Sequence, residues 1–216
     1  MNSAFRIPHS PFFQAKLYAI LDLGYVEPRD AVEMTGRLLA ARVDVLQLRA
    51  KNFPPGEIAA LAREIVSLCH DAGVPFILND FPHLVPETGA DGVHIGQDDG
   101  PLDAARAAAG PGKIVGRSTH SIAQARAAWA EGADYIGFGP LFATPTKPDY
   151  TPIGLADIAV VQRESPVPVF CIGGIKRENL HEVVAAGARR VVVVTGLLHA
   201  GDIAGYAGDC RVIMKA

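Results

Sequence analysis

Ala186-Gly187-Ala188-Arg189-Arg190-Val191-Val192-Val193-Val194-Thr195-Gly196 reads as a helix stop, a strand and a polar exit. The Val191 to Val194 run shows no alternation of apolar and polar residues, as expected of a parallel strand buried on both faces. Gly187 sits where a helix would end, and Thr195-Gly196 stops the strand. Similar entries recur at Ala72-Gly73-Val74-Pro75, Thr88-Gly89-Ala90-Asp91 and Glu131-Gly132-Ala133-Asp134. A helix-stop glycine leading into a strand, repeated along a chain, predicts a parallel α/β architecture.

Working outward, strands are predicted at residues 17–21, 43–48, 75–78, 91–95, 113–116, 134–138, 168–172 and 190–194. Helices are predicted over 28–42, from 54 to the Gly73 stop, briefly over 83–87, then over 102–109, 121–130, 155–163 and 177–186. Pro28 suits a first helical turn, and Ile58, Leu61, Ile65 and Leu68 recur at helical spacing. Gly201, Gly205 and Gly208 make the final helix weak. Eight strand–helix units predict a closed (β/α)8 TIM barrel, one domain over residues 17–216 after an N-terminal extension, 1–16. An open doubly wound sheet would carry a glycine-rich fingerprint after its first strand, and Asp22-Leu23-Gly24 has none.

Hydrophobic residues make up 49% of the 216 and charged residues 20%, which suits a globular chain with a sizeable core. The net charge of −3, with no run of either sign, argues against nucleic acid or a membrane surface as partner and towards small-molecule substrates. No apolar run reaches a membrane span, and residues 1–14 do not read as a signal peptide. Cys69, Cys171 and Cys210 lack metal-site spacing and read as reduced packing thiols, so a cytoplasmic location is expected. Whether the chain is a homo-oligomer is left open.

In such barrels the working residues lie at the C-terminal ends of strands. Those positions carry Gln47-Leu48-Arg49-Ala50-Lys51, Asn79-Asp80, Gln97-Asp98-Asp99, Ser118-Thr119-His120, Thr144-Pro145-Thr146-Lys147, Gly173-Gly174 and Thr195-Gly196, while the strand starts carry nothing comparable. Gln47, Arg49 and Lys51 alternate at period two, so they project to one side and make an anion clamp. The T-P-T-K stretch, with two hydroxyls and an ammonium, suits a phosphorylated ligand. Asp80 and Asp99 end adjacent strands and face basic residues, a set suited to Mg²⁺, although an aspartate here also reads as a turn residue. Gly173-Gly174 allows close backbone approach to a ligand, or is a plain turn. His94 reads as a satisfied core histidine, Trp129 as packing, and His120 as an acid–base or hydrogen-bonding group.

Taken in order, Q-L-R-A-K (47–51), N-D (79–80), A-D-G-V-H-I-G-Q-D-D (90–99), G-R-S-T-H (116–120), G-F-G-P-L-F-A-T-P-T-K (137–147) and I-G-G-I (172–175) resemble thiamine phosphate synthase. The resemblance runs over about residues 17–198. It implies a transferase of thiamine biosynthesis that joins hydroxymethylpyrimidine diphosphate to thiazole phosphate and releases pyrophosphate. It further implies that Gln47, Leu48, Arg49, Ala50, Lys51, Asn79, Ser118 and Lys147 hold the pyrimidine diphosphate. Thr144, Pro145, Thr146, Gly174, Val194 and Thr195 would hold the thiazole phosphate, and Asp80 and Asp99 the Mg²⁺ cofactor. Arg49, Lys51, Ser118 and Lys147 are the implied catalytic set. Thr195 stands where the family usually has serine, and Pro82 interrupts a segment that is usually more helical. Gly116-Arg117-Ser118-Thr119-His120-Ser121 also fits the related thiazole tautomerases, which use the histidine; a non-catalytic thiamine-precursor sensor is a third reading. Asp99 and the complete T-P-T-K favour the synthase, since a tautomerase releases no diphosphate.

Overall fold

A computed structural model describes residues 11–144 and 151–215. Eight parallel strands close in chain order: β1 (Leu17–Asp22), β2 (Val45–Arg49), β3 (Phe76–Asn79), β4 (Gly92–Ile95), β5 (Ile114–Thr119), β6 (Tyr135–Phe138), β7 (Val169–Cys171) and β8 (Val191–Val193). β8 returns to β1 with Leu17 opposite Val191, so the barrel is complete. The strand pleat sorts the side chains. Tyr18, Ile20, Val45, Ile77, Tyr135, Phe170 and Val192 fill the lumen, while the intervening Leu17, Ala19, Leu21, Leu46, Leu48 and Leu78 pack outward under the helices. The outer shell includes α3 (Pro55–Asp71), which buries Ile58 and Ile65 as its spacing predicted.

Some expected boundaries shift, each for a physical reason. β2 runs to Arg49 because its ladder with β1 continues to the Asp22–Arg49 pair. β5 runs to Thr119, which lies opposite Phe138. Arg49 and Ser118 therefore stand on strands, not in the loops after them. The helix after β7 starts later than residue 177, as α8 (Leu180–Ala185), because Asn179 braces the loop: it accepts from the Lys176 amide and donates to the Gly174 carbonyl. The helix before β7 likewise starts at Ile158, as α7 (Ile158–Glu164).

The last helix is not weak. α10 (Ile203–Ile213) is capped by Asp202, which accepts from the Gly205 amide at 2.9 Å, and it buries Ile203, Ala207 and Cys210. It docks on β1, on α8 and on α2 (Ala31–Ala40), at whose C-terminal end Arg211 donates to the Ala41 carbonyl. Packing and a cap outweigh the cost of its glycines, about 1 kcal/mol each.

Residues 11–16, just before β1, contribute to the barrel core. α1 (Pro11–Gln14) puts Phe12, fully buried, 4.7 Å from the Tyr135 ring centroid and 5.8 Å from that of Phe170. The three cysteines are free and buried, and burial pushes Cys69 and Cys171 up to about 12 and Cys210 to about 11. Thiols this hard to ionise are packing groups, not nucleophiles. Among the described residues no helix is long and apolar enough to cross a membrane.

Candidate active site

The C-terminal mouth of the barrel opens into one cavity of about 100 Å³. Gln47, Arg49, Asn79, Ser118, Thr144, Gly174, Val194 and Thr195 all line it, together with His94 and His120. These residues come from seven strands, β2 to β8, or the loops that follow them, so closure of the barrel is what brings them together. Leu48 and Ala50 belong to the outer core, so a ligand at the rim meets at most their backbone. Pro145, Thr146 and Lys147 lie outside the described residues.

The cation side is anchored by residues that strand patterning alone did not single out. Asp22, 1% exposed at the end of β1, accepts from Arg49 Nη1 at 2.7 Å through Oδ2. Its Oδ1 accepts from the Gly24 amide at 2.9 Å. A guanidinium held this way is aimed before any ligand arrives, which lowers the ordering cost of binding an anion. Lys51, half exposed, lies with Nζ 3.9 Å from Asp80 Oδ2.

Asp80 and Asp99 do meet. The Asp80 carboxyl is raised to about 6, first by burial, then by its hydrogen bond to Asp99 and by the Asp99 charge, with Lys51 and Arg49 pulling the other way. Two carboxylates that resist simultaneous ionisation are a fit for a dication. No cluster of three or more histidine, cysteine or acidic side chains suited to a metal exists among the described residues. A pair of carboxylates such as Asp80 and Asp99 is the kind of donor set that suits an ion completing its shell with water and ligand oxygens, as Mg²⁺ does. Asp80 stands in left-handed backbone, φ 57°, followed by Phe81 at 51°. Strain of this kind costs on the order of 1–3 kcal/mol per residue and gathers at functional sites. The Asp80 side chain caps neither of the short helical turns that follow, whereas Asp99 Oδ2 also accepts from the Gly96 amide at 2.6 Å. Arg117, 8% exposed and pointing away from the lumen, holds that loop by donating to the Gly100 carbonyl at 2.6 Å.

Opposite the acids, Gly173 (φ 97°) and Gly174 (φ 65°) turn the chain beneath the loop after β6. A Cβ on Gly173 would stand 2.3 Å from Pro140 Cα, and one on Gly174 2.7 Å from the Ala143 carbonyl oxygen. The pair is therefore required by geometry and is more than a plain turn. Val194 and Thr195 face it, with Thr195 opening α9 (Thr195–Leu198). Loops after strands seven and eight, with a short extra helix, form the usual phosphate pocket of such barrels.

His94 is satisfied, as predicted, but by the site itself. Its Nδ1 bonds the Tyr135 hydroxyl at 3.0 Å and its Nε2 bonds Ser118 Oγ at 2.9 Å. His120 lines the cavity, and its Nδ1 donates to the Gly139 carbonyl, next to the cis Gly139–Pro140 bond. Its backbone amide donates to Gln124 Oε1 at 2.7 Å.

The chain is similar to known proteins. The family described as thiamine monophosphate synthase matches residues 17–197. A thiamine-phosphate synthase of Shouchella clausii is 41% identical over 189 residues, covering 87% of this chain and 90% of that one. One from Herpetosiphon aurantiacus is 44% identical over 186 residues, covering 86% and 89%. The structure of a thiamine phosphate pyrophosphorylase from Pyrococcus furiosus superposes with a TM-score of 0.84 at 30% identity, covering 94% of this chain and 96% of that one. A 3-hexulose-6-phosphate synthase superposes at 0.65 with 21% identity over 92% of this chain and 99% of that one, a likeness of fold alone.

Proposed function

This chain belongs to the thiamine monophosphate synthase family, and we propose that it joins hydroxymethylpyrimidine diphosphate to thiazole phosphate, releasing pyrophosphate. The observation that carries the proposal is the meeting, in one cavity, of an anchored guanidinium, a polar lumen wall and a two-glycine phosphate pocket. The pyrimidine lies over Gln47, Asn79 and Ser118, with its diphosphate towards Arg49 and Lys51, and the resemblance adds Lys147 as a third cation. The thiazole phosphate lies in the pocket of Thr144, Gly174, Val194 and Thr195, and the resemblance adds Thr146 to that set.

The carbon–oxygen bond to the diphosphate breaks first, and its electron pair leaves with the diphosphate. The cation left on the pyrimidine methylene carbon is taken by the lone pair of the thiazole nitrogen. No protein nucleophile is needed. Arg49, Lys51 and Lys147 act by meeting the negative charge that grows on the leaving group, the kind of preorganised charge that dominates many rate enhancements. Asp80 and Asp99 would hold Mg²⁺, which supplies further positive charge to the leaving diphosphate.

The test is direct. Both substrates are incubated with the chain, with and without Mg²⁺, and thiamine phosphate and pyrophosphate are measured. Equal amounts of both, only with Mg²⁺, are expected. Absence of thiamine phosphate, or formation that ignores removal of the metal by a chelator, counts against the proposal.

A further inference from the structure

Along the wall of the cavity a line of side chains crosses the lumen from β2 to β5. Gln47 Nε2 donates to the Tyr18 hydroxyl at 2.8 Å. The Tyr18 and Tyr135 hydroxyls are 3.2 Å apart. The Tyr135 hydroxyl is 3.0 Å from His94 Nδ1, and His94 Nε2 is 2.9 Å from Ser118 Oγ. The fold makes room for this line: a Cβ on Gly116 would fall 2.1 Å from Tyr135 Cζ. Burial pushes both phenols well above their ordinary range, so each keeps one proton.

We propose that Tyr18, Tyr135 and His94 form a one-way hydrogen-bond relay that fixes which groups Gln47 and Ser118 present to the ligand, and so selects an aminopyrimidine over an oxopyrimidine. In the relay each hydroxyl accepts once and donates once. Tyr18 accepts from Gln47 and is the donor in its bond to Tyr135, where either hydroxyl could donate. Tyr135 then donates to Nδ1 of His94. A neutral imidazole that accepts at Nδ1 carries its proton on Nε2 and donates it to Ser118 Oγ. Two consequences reach the cavity. The Gln47 amide oxygen is left to accept, and the Ser118 hydroxyl is left to donate. An exocyclic amine and a ring nitrogen are the matching pair on a pyrimidine; an oxo group beside a ring N–H is the mismatched pair. Tyr18 and Tyr135 are positioning residues in this scheme, acting through Gln47 and Ser118.

The inference rests on the reading that a pyrimidine diphosphate is the substrate, and two measurements on the full chain separate the two ideas. In ¹⁵N-histidine-labelled protein, long-range ¹H–¹⁵N correlation of His94 is expected to report the proton on Nε2; a proton on Nδ1 overturns the relay. This needs no variant and no turnover. In kinetics, the ratio of kcat/KM for the 4-amino substrate to that for its 4-oxo analogue is compared in the wild type, Tyr135→Phe and Tyr18→Phe. Each variant keeps its ring and loses one hydroxyl. A released Gln47 amide can rotate, so the preference is expected to fall at least about tenfold in both, as for a site that loses a fixed hydrogen-bond partner. A merely structural tyrosine would lower both rates and leave their ratio unchanged, which would overturn the proposal. If the wild type forms no thiamine phosphate, the substrate reading falls, and the His94 tautomer still decides the relay.

Discussion

Replacing Asp80 by asparagine should make the metal-free protein more stable, not less. Asp80 is raised from 3.8 to about 6 in the folded chain, first by burial and then by Asp99. The folded state therefore binds this proton more tightly than the unfolded state does. Its contribution is most favourable below about pH 4, declines as pH rises towards 6, and is a full penalty above that. At 1.36 kcal/mol per pKa unit the penalty has a ceiling of about 3 kcal/mol. Partial exposure beside Lys51 screens it, so about 1–2 kcal/mol is expected. For a chain of this size that is a rise in Tm of about 2–8 °C. The assay is thermal unfolding with a chelator present, from pH 4.5 to pH 8. Asp80→Asn should melt higher than the wild type at pH 7.5, and the difference should shrink by more than half at pH 4.5, vanishing only below about pH 4. Millimolar Mg²⁺ should raise the wild-type Tm and close the gap, because a ligand that binds only the folded state stabilises it. A variant that melts lower at pH 7.5, or a gain that does not fade in acid, would refute the coupling of Asp80 to Asp99.

Asp22→Ala should cost about 2 kcal/mol in denaturant unfolding, below the 3–5 kcal/mol typical of a fully buried pair because Arg49 still reaches the mouth, and should raise KM for the diphosphate substrate; an unchanged KM would mean that Arg49 needs no anchor. Arg117→Ala frees the loop that carries Asp99, so the Mg²⁺ concentration for half-maximal rate should rise about tenfold, with the rate recovered at saturating metal; a metal titration that superposes on the wild type would count against that role. His120→Asn should lower thiamine phosphate formation less than about tenfold, below the 10²–10⁴ of a general acid–base group. A hundredfold loss with diphosphate binding intact would instead mark a proton-transfer enzyme such as a tautomerase.

The barrel was legible because parallel strands under helices leave a strong mark: unbroken apolar runs such as Val191–Val193 set between glycine stops. The positions at the mouth were legible for a related reason, since Gln47, Asn79 and Thr195 interrupt that pattern at strand ends. The lumen was not. Tyr18 and Tyr135 sit in apolar runs and read as core, and a hydropathy pattern gives no weight to a phenol's hydroxyl. They are 117 residues apart, and only barrel closure sets their hydroxyls together. Asp22 read as the end of a strand because its partner Arg49 is supplied by the neighbouring ladder. Arg117 and Ser118 look alike as polar neighbours, yet the pleat sends one to a loop and the other to the cavity. The final helix was underrated because its stability comes from burial against α2 and β1, which no local propensity records.

The position of Phe12 bears on how the chain is made. Its ring rests against Tyr135 and Phe170, and the strand that follows it needs β8 as one of its two neighbours. A ribosome releases Phe12 before it has decoded any of these partners. At roughly 5–20 residues per second, the interval before Phe170 appears is on the order of ten to thirty seconds. For that time Phe12 and Phe13 have no lumen to enter. The base of the barrel joins elements made far apart in translation, so the nascent chain carries Phe12 uncovered until its partners on β6 and β7 have been made.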